Sequence, residues 1–122
     1  MPTRRLVARE LGALLKLLSH PDRILILHLL SETTDYSVTD IAEELSLPPA
    51  RVSQHLSALR SFKLVEEKSS GRQRFYSPTI ASLPDWLLQG VDYVADRVSS
   101  ITPEQAERAK RAWRDHSAFP RE

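Results

Sequence analysis

Cysteine is absent from the sequence, which excludes disulfides, thiolate metal sites and thiol-based redox sensing. Long apolar runs are absent too. None approaches the ~18 residues that a membrane span needs, and residues 1–10 carry no signal-peptide core, so the expected compartment is the cytoplasm, with no membrane partner. Glycine is scarce, with Gly12, Gly71 and Gly90 the whole complement, and no glycine-rich loop is present to cradle a phosphate. No Ser-x-x-Lys or comparable nucleophile motif occurs. His20 and Asp22 are neighbours, but a helix start explains them. The chain is read as no enzyme, and no cofactor is expected.

What is present suits one domain and not two: a single unit over residues 1–116, then a loose tail over 117–122. The net charge of +1 decides nothing by itself, but its distribution does. Between Arg51 and Arg74 stand six basic residues (Arg51, Arg60, Lys63, Lys68, Arg72 and Arg74) against two acidic ones (Glu66 and Glu67), which makes this stretch +4 and the remainder −3. A local cationic excess is what meets phosphates, although an ordinary solvated face can carry one as well.

Apolar residues at 7, 11, 14 and 18, with Leu6, Leu15 and Leu17 beside them, predict a helix over 6–18 with more than one apolar side. Pro21 opens a second helix, in the first turn where its missing N–H costs nothing. Ile24, Leu25, Leu27, Leu29 and Leu30 make that helix apolar nearly all round, the pattern of a buried centre. Residues 32–36 read as a polar loop. Ser37 and Asp40 form a capping box that opens a short helix with Ile41, Ala42 and Leu45 inward. Residues 46–48 turn the chain, and Pro49 starts the next helix. Leu64-Val65 and Phe75-Tyr76 flank Ser69-Ser70-Gly71, a small hairpin with a flexible tip. A further helix is expected over 82–100. Thr102-Pro103-Glu104-Gln105 signals the last one, with Ala106, Ala109, Ala112 and Trp113 on one side. The predicted fold is mainly α with a small β-hairpin: a winged helix-turn-helix of order α-α-α-α-β-β-α-α, and dimeric.

The helix that starts at Pro49 carries the functional signal. Val52, Leu56 and Leu59 point inward, leaving Arg51, Ser53, Gln54, His55, Ser57 and Arg60 for the other face, with no acid among them. Gln pairs bidentately with adenine, Arg with guanine, and Ser with several partners in the major groove, whereas a carboxylate there is repelled by phosphates. The residues assigned to DNA are Arg51, Ser53, Gln54, His55 and Ser57, together with Lys68, Arg72 and Arg74 of the hairpin, whose glycine tip allows close approach to the backbone. Arg60, further along, reads as a backbone contact or an internal ion pair. For His55 a second reading stands open, in which it packs against the turn. Ser53 has a second reading as a small residue that permits close helix packing, and the hairpin has one as an ordinary exposed basic turn.

The stretch 14–78 resembles the ArsR-type family of bacterial winged-helix repressors. The residues that carry the likeness are His20-Pro21-Asp22-Arg23, Val52-Ser53-Gln54-His55-Leu56 with Leu59, Leu64-Val65, and Gly71-Arg72 followed by Tyr76. The resemblance implies a homodimer that binds an inverted-repeat operator in double-stranded DNA and releases it when an effector binds. One departure is local: Leu47-Pro48-Pro49-Ala50 stands where the family often has a Ser near the helix start, so a side-chain cap is lost there.

The family's thiolate site needs cysteines near residues 38–41, where this chain has Val38, Thr39, Asp40 and Ile41. Its other site needs Asp-x-His on the helix after the hairpin, where Asp85-Trp86-Leu87 has no His. Asp85, Asp92 and Asp96, joined by His116, leave a non-thiolate metal sensor as an alternative, against a solvated acidic face meeting Arg97, Arg108 or Arg111. No metal site is assigned. Val7, Leu11 and Leu14 of the first helix, with Leu87, Val91, Val94 and Val98 of the fifth, are expected to close a two-fold interface. The effector is unknown; Trp86, Tyr93 and Trp113 offer either a pocket for an organic ligand or ordinary core. A winged helix used for protein contact, with no specific DNA binding, is the competing class.

Overall fold

In the computed structural model of the chain, which describes residues 2–32, 35–79 and 84–114, the helix start signals fix where each element begins. The first helix, α1 (Pro2–Leu17), opens four residues earlier than the apolar spacing indicated, because Pro2 suits a first helical turn. Helix α2 (Pro21–Glu32) starts at its proline as expected. Ser37 caps α3 (Val38–Leu45): its Oγ accepts from Asp40 N–H at 3.1 Å, and Asp40 Oδ2 accepts from Ser37 N–H at 3.2 Å. Helix α4 (Pro49–Ser61) has Pro48 at its N-cap and no side-chain cap.

Helices α3 and α4 end alike. Ser46 and Lys63 both take left-handed backbone, at φ 55° and 59°. After each, the next amide reaches back five residues, Leu47 N–H to Ala42 O at 3.0 Å and Leu64 N–H to Leu59 O at 3.1 Å. The left-handed residues themselves donate to Glu43 O and Arg60 O. This is the Schellman arrangement, which satisfies the last carbonyls and folds an apolar residue back onto the core. Leu47 and Leu64 are those residues.

Strands β2 (Val65–Ser70) and β3 (Gln73–Pro78) pair antiparallel, with Val65 opposite Pro78 and Ser70 opposite Gln73. The loop is therefore Gly71-Arg72 alone, with Ser69 and Ser70 inside the strand rather than at the tip. Gly71 has φ +63° and opens the two-residue turn, where glycine carries no steric cost. A third strand, β1 (Tyr36–Ser37), pairs with the other edge of β3 and gives the order β1-β3-β2. This corrects the loop expected over 32–36: two residues are too short to show an alternation.

After the hairpin come α5 (Asp85–Ala95) and α6 (Pro103–Arg114). The helix expected over 82–100 stops at Ala95, and its expected start at 82 lies outside the described residues. Arg97 caps the end. Its guanidinium donates to Tyr93 O at 2.8 Å and lies 3.5 Å over the Tyr93 ring, taking a carbonyl of the last turn. Thr102 and Gln105 then cap α6 reciprocally, at 3.1 and 2.8 Å.

The core is built around α2, whose Ile26, Leu27, Leu29 and Leu30 meet Ile41 and Ala42 of α3, Val52, Leu56 and Leu59 of α4, and Val65 of β2. Helix α6 closes over it through Trp113, stacked on the buried His28 at 4.0 Å. Left-handed backbone costs a residue with a Cβ about 1–2 kcal/mol. Lys63→Gly and Ser46→Gly are therefore each expected to raise the unfolding free energy by about 1 kcal/mol in urea titrations, and Ser37→Ala to lower it by about as much. An unchanged or lower midpoint for both glycine variants contradicts the cap assignment.

Candidate nucleic-acid interface

Four side chains of α4 face inward: Val52, His55, Leu56 and Leu59 are buried. The outward arc holds Arg51, Ser53, Gln54, Ser57, Arg60 and Ser61, all exposed. His55 thus departs from the exposed face expected for it and packs inside, against Arg23 and Asp22 of α2. The spacing carried that signal, since His55 stands three residues after Val52 and four before Leu59, on the inward stripe. Its Nδ1 accepts from Arg23 Nε at 3.0 Å, and its Nε2 lies 3.7 Å from Asp22 Oδ2. Arg23 was not among the expected functional residues. The pairing spans 32 positions of sequence, and no local pattern announces it.

The tandem prolines at the start of α4 leave little to cap. Pro49 has no N–H, and Pro48 O accepts from Arg51 N–H at 3.0 Å and Val52 N–H at 3.1 Å. The absent side-chain cap therefore leaves few donors stranded.

The hairpin divides its cations between two faces. Glu67 and Arg74 share one face, and Lys68 lies on the other. Glu67, largely shielded, binds both Arg60 Nη1 of α4 and Arg74 Nε, the latter at 3.2 Å. Arg60 is thus an internal ion pair, one of its two expected roles, and it ties the end of α4 to the wing. Lys68 stands 3.9 Å from Glu66, and Arg72 is exposed at the tip. The structure brings Arg51, Ser53, Gln54 and Ser57 onto one surface, with Arg74 held beside the far end of α4 and Arg72 projecting at the wing tip.

The residues expected to close a dimer interface divide in two. Val7 and Leu11 on α1 and Val94 on α5 are exposed, as is Val98, which lies beyond the end of α5. Leu14 and Leu87 pack partly on the chain's own core, and Val91 is half-buried. Leu6 and Leu15 are exposed as well, so no residue of α1 is buried. The aromatic residues do not converge: Trp113 belongs to the core, while Trp86 and Tyr93 are exposed.

Two of the three carboxylates on the acidic side of α5, Asp92 and Asp96, are paired by α6, through cations other than those expected, and Asp85 is exposed. Arg114 grips Asp92 with two bonds of 2.7 and 2.8 Å, and Lys110 reaches Asp96 at 2.6 Å. The Arg114 hydrogen bonds hold the Asp92 carboxyl below its ordinary range, and Asp96 raises Lys110. Among the described residues no three His, Asp or Glu side chains are placed to hold a metal; His116 lies outside them. At the N-terminal end of α3, Asp40 is spent on the capping box and Ile41 is buried. No described helix is long and apolar enough to cross a membrane.

Comparison with known proteins agrees with this geometry. Residues 20–67 match the family described as bacterial regulatory protein, arsR family. The HTH-type transcriptional regulator YgaV of Escherichia coli is 34% identical over 70 residues, which are 57% of this chain and 71% of that protein. The biofilm growth-associated repressor of Xylella fastidiosa is 35% identical over 74 residues, 61% of this chain and 64% of the relative, so this match spans just under two thirds of it. The crystal structure of Rv0081 from M. tuberculosis superposes with a TM-score of 0.58 at 34% identity, covering 82% of this chain and 95% of that one. With the helix, turn, helix and wing in the same order, and relatives matched across most of their length, this chain belongs to the ArsR family of bacterial regulatory proteins.

Proposed function

We propose that the chain is a cytoplasmic DNA-binding transcriptional repressor that acts as a homodimer on an inverted-repeat operator. The observation that carries this reading is the outward arc of α4, where Arg51, Ser53, Gln54 and Ser57 are exposed together on a helix with no carboxylate. These short donors and acceptors suit base edges in the major groove. Arg72, Arg74 and Lys68 of the wing suit phosphates beside it. His55 is buried and leaves the contact set.

Exposed apolar residues support two-fold pairing. Leu6, Val7, Leu11 and Leu15 of α1, with Trp86, Tyr93 and Val94 of α5 and Val98 beyond it, are large apolar side chains left in water, and exposed apolar surface on this scale supports an interface. A dimer closed there sets two α4 helices about one DNA turn apart, roughly 34 Å. The family's effector, where this chain has one, acts by altering that separation.

Selection from a random duplex library followed by fluorescence anisotropy across a salt series tests the reading. The expected result is an enriched inverted repeat, bound far more tightly than a scrambled duplex and weakened steeply by salt. Equal, weak binding to both duplexes overturns it. Gln54→Ala is expected to relax preference at one base-pair position, by about 1–3 kcal/mol. Arg72→Ala is expected to weaken all duplexes alike and to reduce the salt slope by about one. For the interface, Leu11→Glu with Val94→Glu is expected to give a monomer in sedimentation equilibrium; a double variant that stays dimeric places the interface elsewhere.

A further inference from the structure

We infer that Arg23 is a positioning residue for the DNA-reading helix, acting through His55, and that DNA affinity requires His55 to be neutral. The inference rests on the reading of α4 as the helix that meets DNA. Its geometry is independent of that reading. Arg23 sits in the first turn of α2. Its Nη1 donates to Leu17 O, on the last residue of α1, at 3.0 Å. Its Nε donates to His55 Nδ1, on the inward side of α4, at 3.0 Å. One planar guanidinium therefore joins three helices, including the one whose apolar residues are exposed. Lys, a point charge on a flexible stem, does not offer two fixed donors of this kind.

A donor aimed at Nδ1 needs a lone pair there. The imidazole is accordingly neutral, with its proton on Nε2, the nitrogen that faces Asp22 at 3.7 Å. Protonation at Nδ1 turns the acceptor into a second donor and sets two cations face to face. The charged and titratable groups around the ring are Arg23 and Asp22 of α2, Arg51 of α4, and His20 just before α2, whose ring lies 5.8 Å away. Of these only Asp22 favours the imidazolium. Burial is the largest cause acting against it, then Arg23, with His20 and Arg51 adding to them, and the net effect lowers the pKa of His55.

The sign of the consequence is fixed. With the folded value lowered from about 6.5, the unfolded chain takes the proton first. The contribution of neutral His55 is whole above about pH 6.5 and is lost as pH falls through the folded value. Acidification otherwise adds positive charge to a protein that faces phosphates, and so tightens binding. The tether predicts the opposite.

The test uses the duplex that the wild-type chain enriches from a random library, with anisotropy read at fixed ionic strength from pH 7.5 down through the His55 midpoint that imidazole nitrogen shifts report. Far-UV circular dichroism confirms that each sample is folded. Wild-type affinity is expected to fall about fivefold or more on acidification, a change typical of modest coupling between sites. His55→Asn, whose Oδ1 accepts near the place of Nδ1 and takes no proton, is expected to show no fall. Arg23→Lys is expected to bind more weakly at pH 7.5 and to lose the pH dependence. Nitrogen shifts of the imidazole are expected to report the Nε2–H form at pH 7.5, with a titration midpoint matching that of affinity. A wild-type affinity that rises or stays level as His55 takes its proton, an equal fall in His55→Asn, or an Nδ1–H form overturns the inference. Should Arg23→Lys fail to fold, the His55→Asn profile and the tautomer decide. A library that enriches nothing removes the reading of α4 as a DNA helix, and the claim on affinity with it; the tautomer then decides the tether alone.

Discussion

Val52, Leu56 and Leu59 of α4 are fully buried, and each such burial contributes about 1.5–3 kcal/mol relative to exposure. That contact with α2 and α3 turns the other side of α4 outward and holds it there. Everything proposed for Arg51, Ser53, Gln54 and Ser57 depends on it, because a helix free to roll presents no fixed set of donors. The left-handed caps at Ser46 and Lys63 serve the same end. They stop α3 and α4 and fold Leu47 and Leu64 back onto the core, which sets the turn between the two helices and the angle at which the wing departs.

Charge is arranged around this frame in two ways. On α4 and the wing, cations outnumber acids, and the one shielded acid, Glu67, is shared by Arg60 and Arg74. It holds the wing against the end of α4 while their guanidinium groups remain largely exposed. On α5 and α6 the carboxylates Asp92 and Asp96 are matched by Arg114 and Lys110, so these two charges are spent within the chain. Ion pairs this exposed contribute little stability; their consequence is the placement of α6, which Trp113 completes by stacking on His28.

The sequence made some of this plain and hid the rest for physical reasons. Starts were legible because they depend on local side-chain chemistry: Pro21, Ser37 with Asp40, Pro49, and Thr102 with Gln105 each stand where a helix begins. The order of helix, turn, helix and wing followed from them. Ends were less legible, because Ser46 and Lys63 occupy positions where glycine would have announced a cap. The end of α5 at Ala95 is capped by Arg97 reaching back to Tyr93, and the two-residue β1 is too short to carry a pattern. His55 was misplaced by its polarity although its spacing from Val52 and Leu59 assigned it inward. Arg23 stood within the stretch that carries the family likeness, but its link to α1 and α4 was hidden, since its partners lie in two other helices.

The measurement closest to the central claim is a titration of isotope-labelled protein with its selected duplex, followed by NMR residue by residue. Amide and side-chain signals of Arg51, Ser53, Gln54 and Ser57 are expected to move most, with Arg72 and Arg74 next, while Val52, Leu56 and Leu59 keep their core environment. Shifts concentrated on α5 and α6, with the outward arc of α4 unmoved, would contradict it.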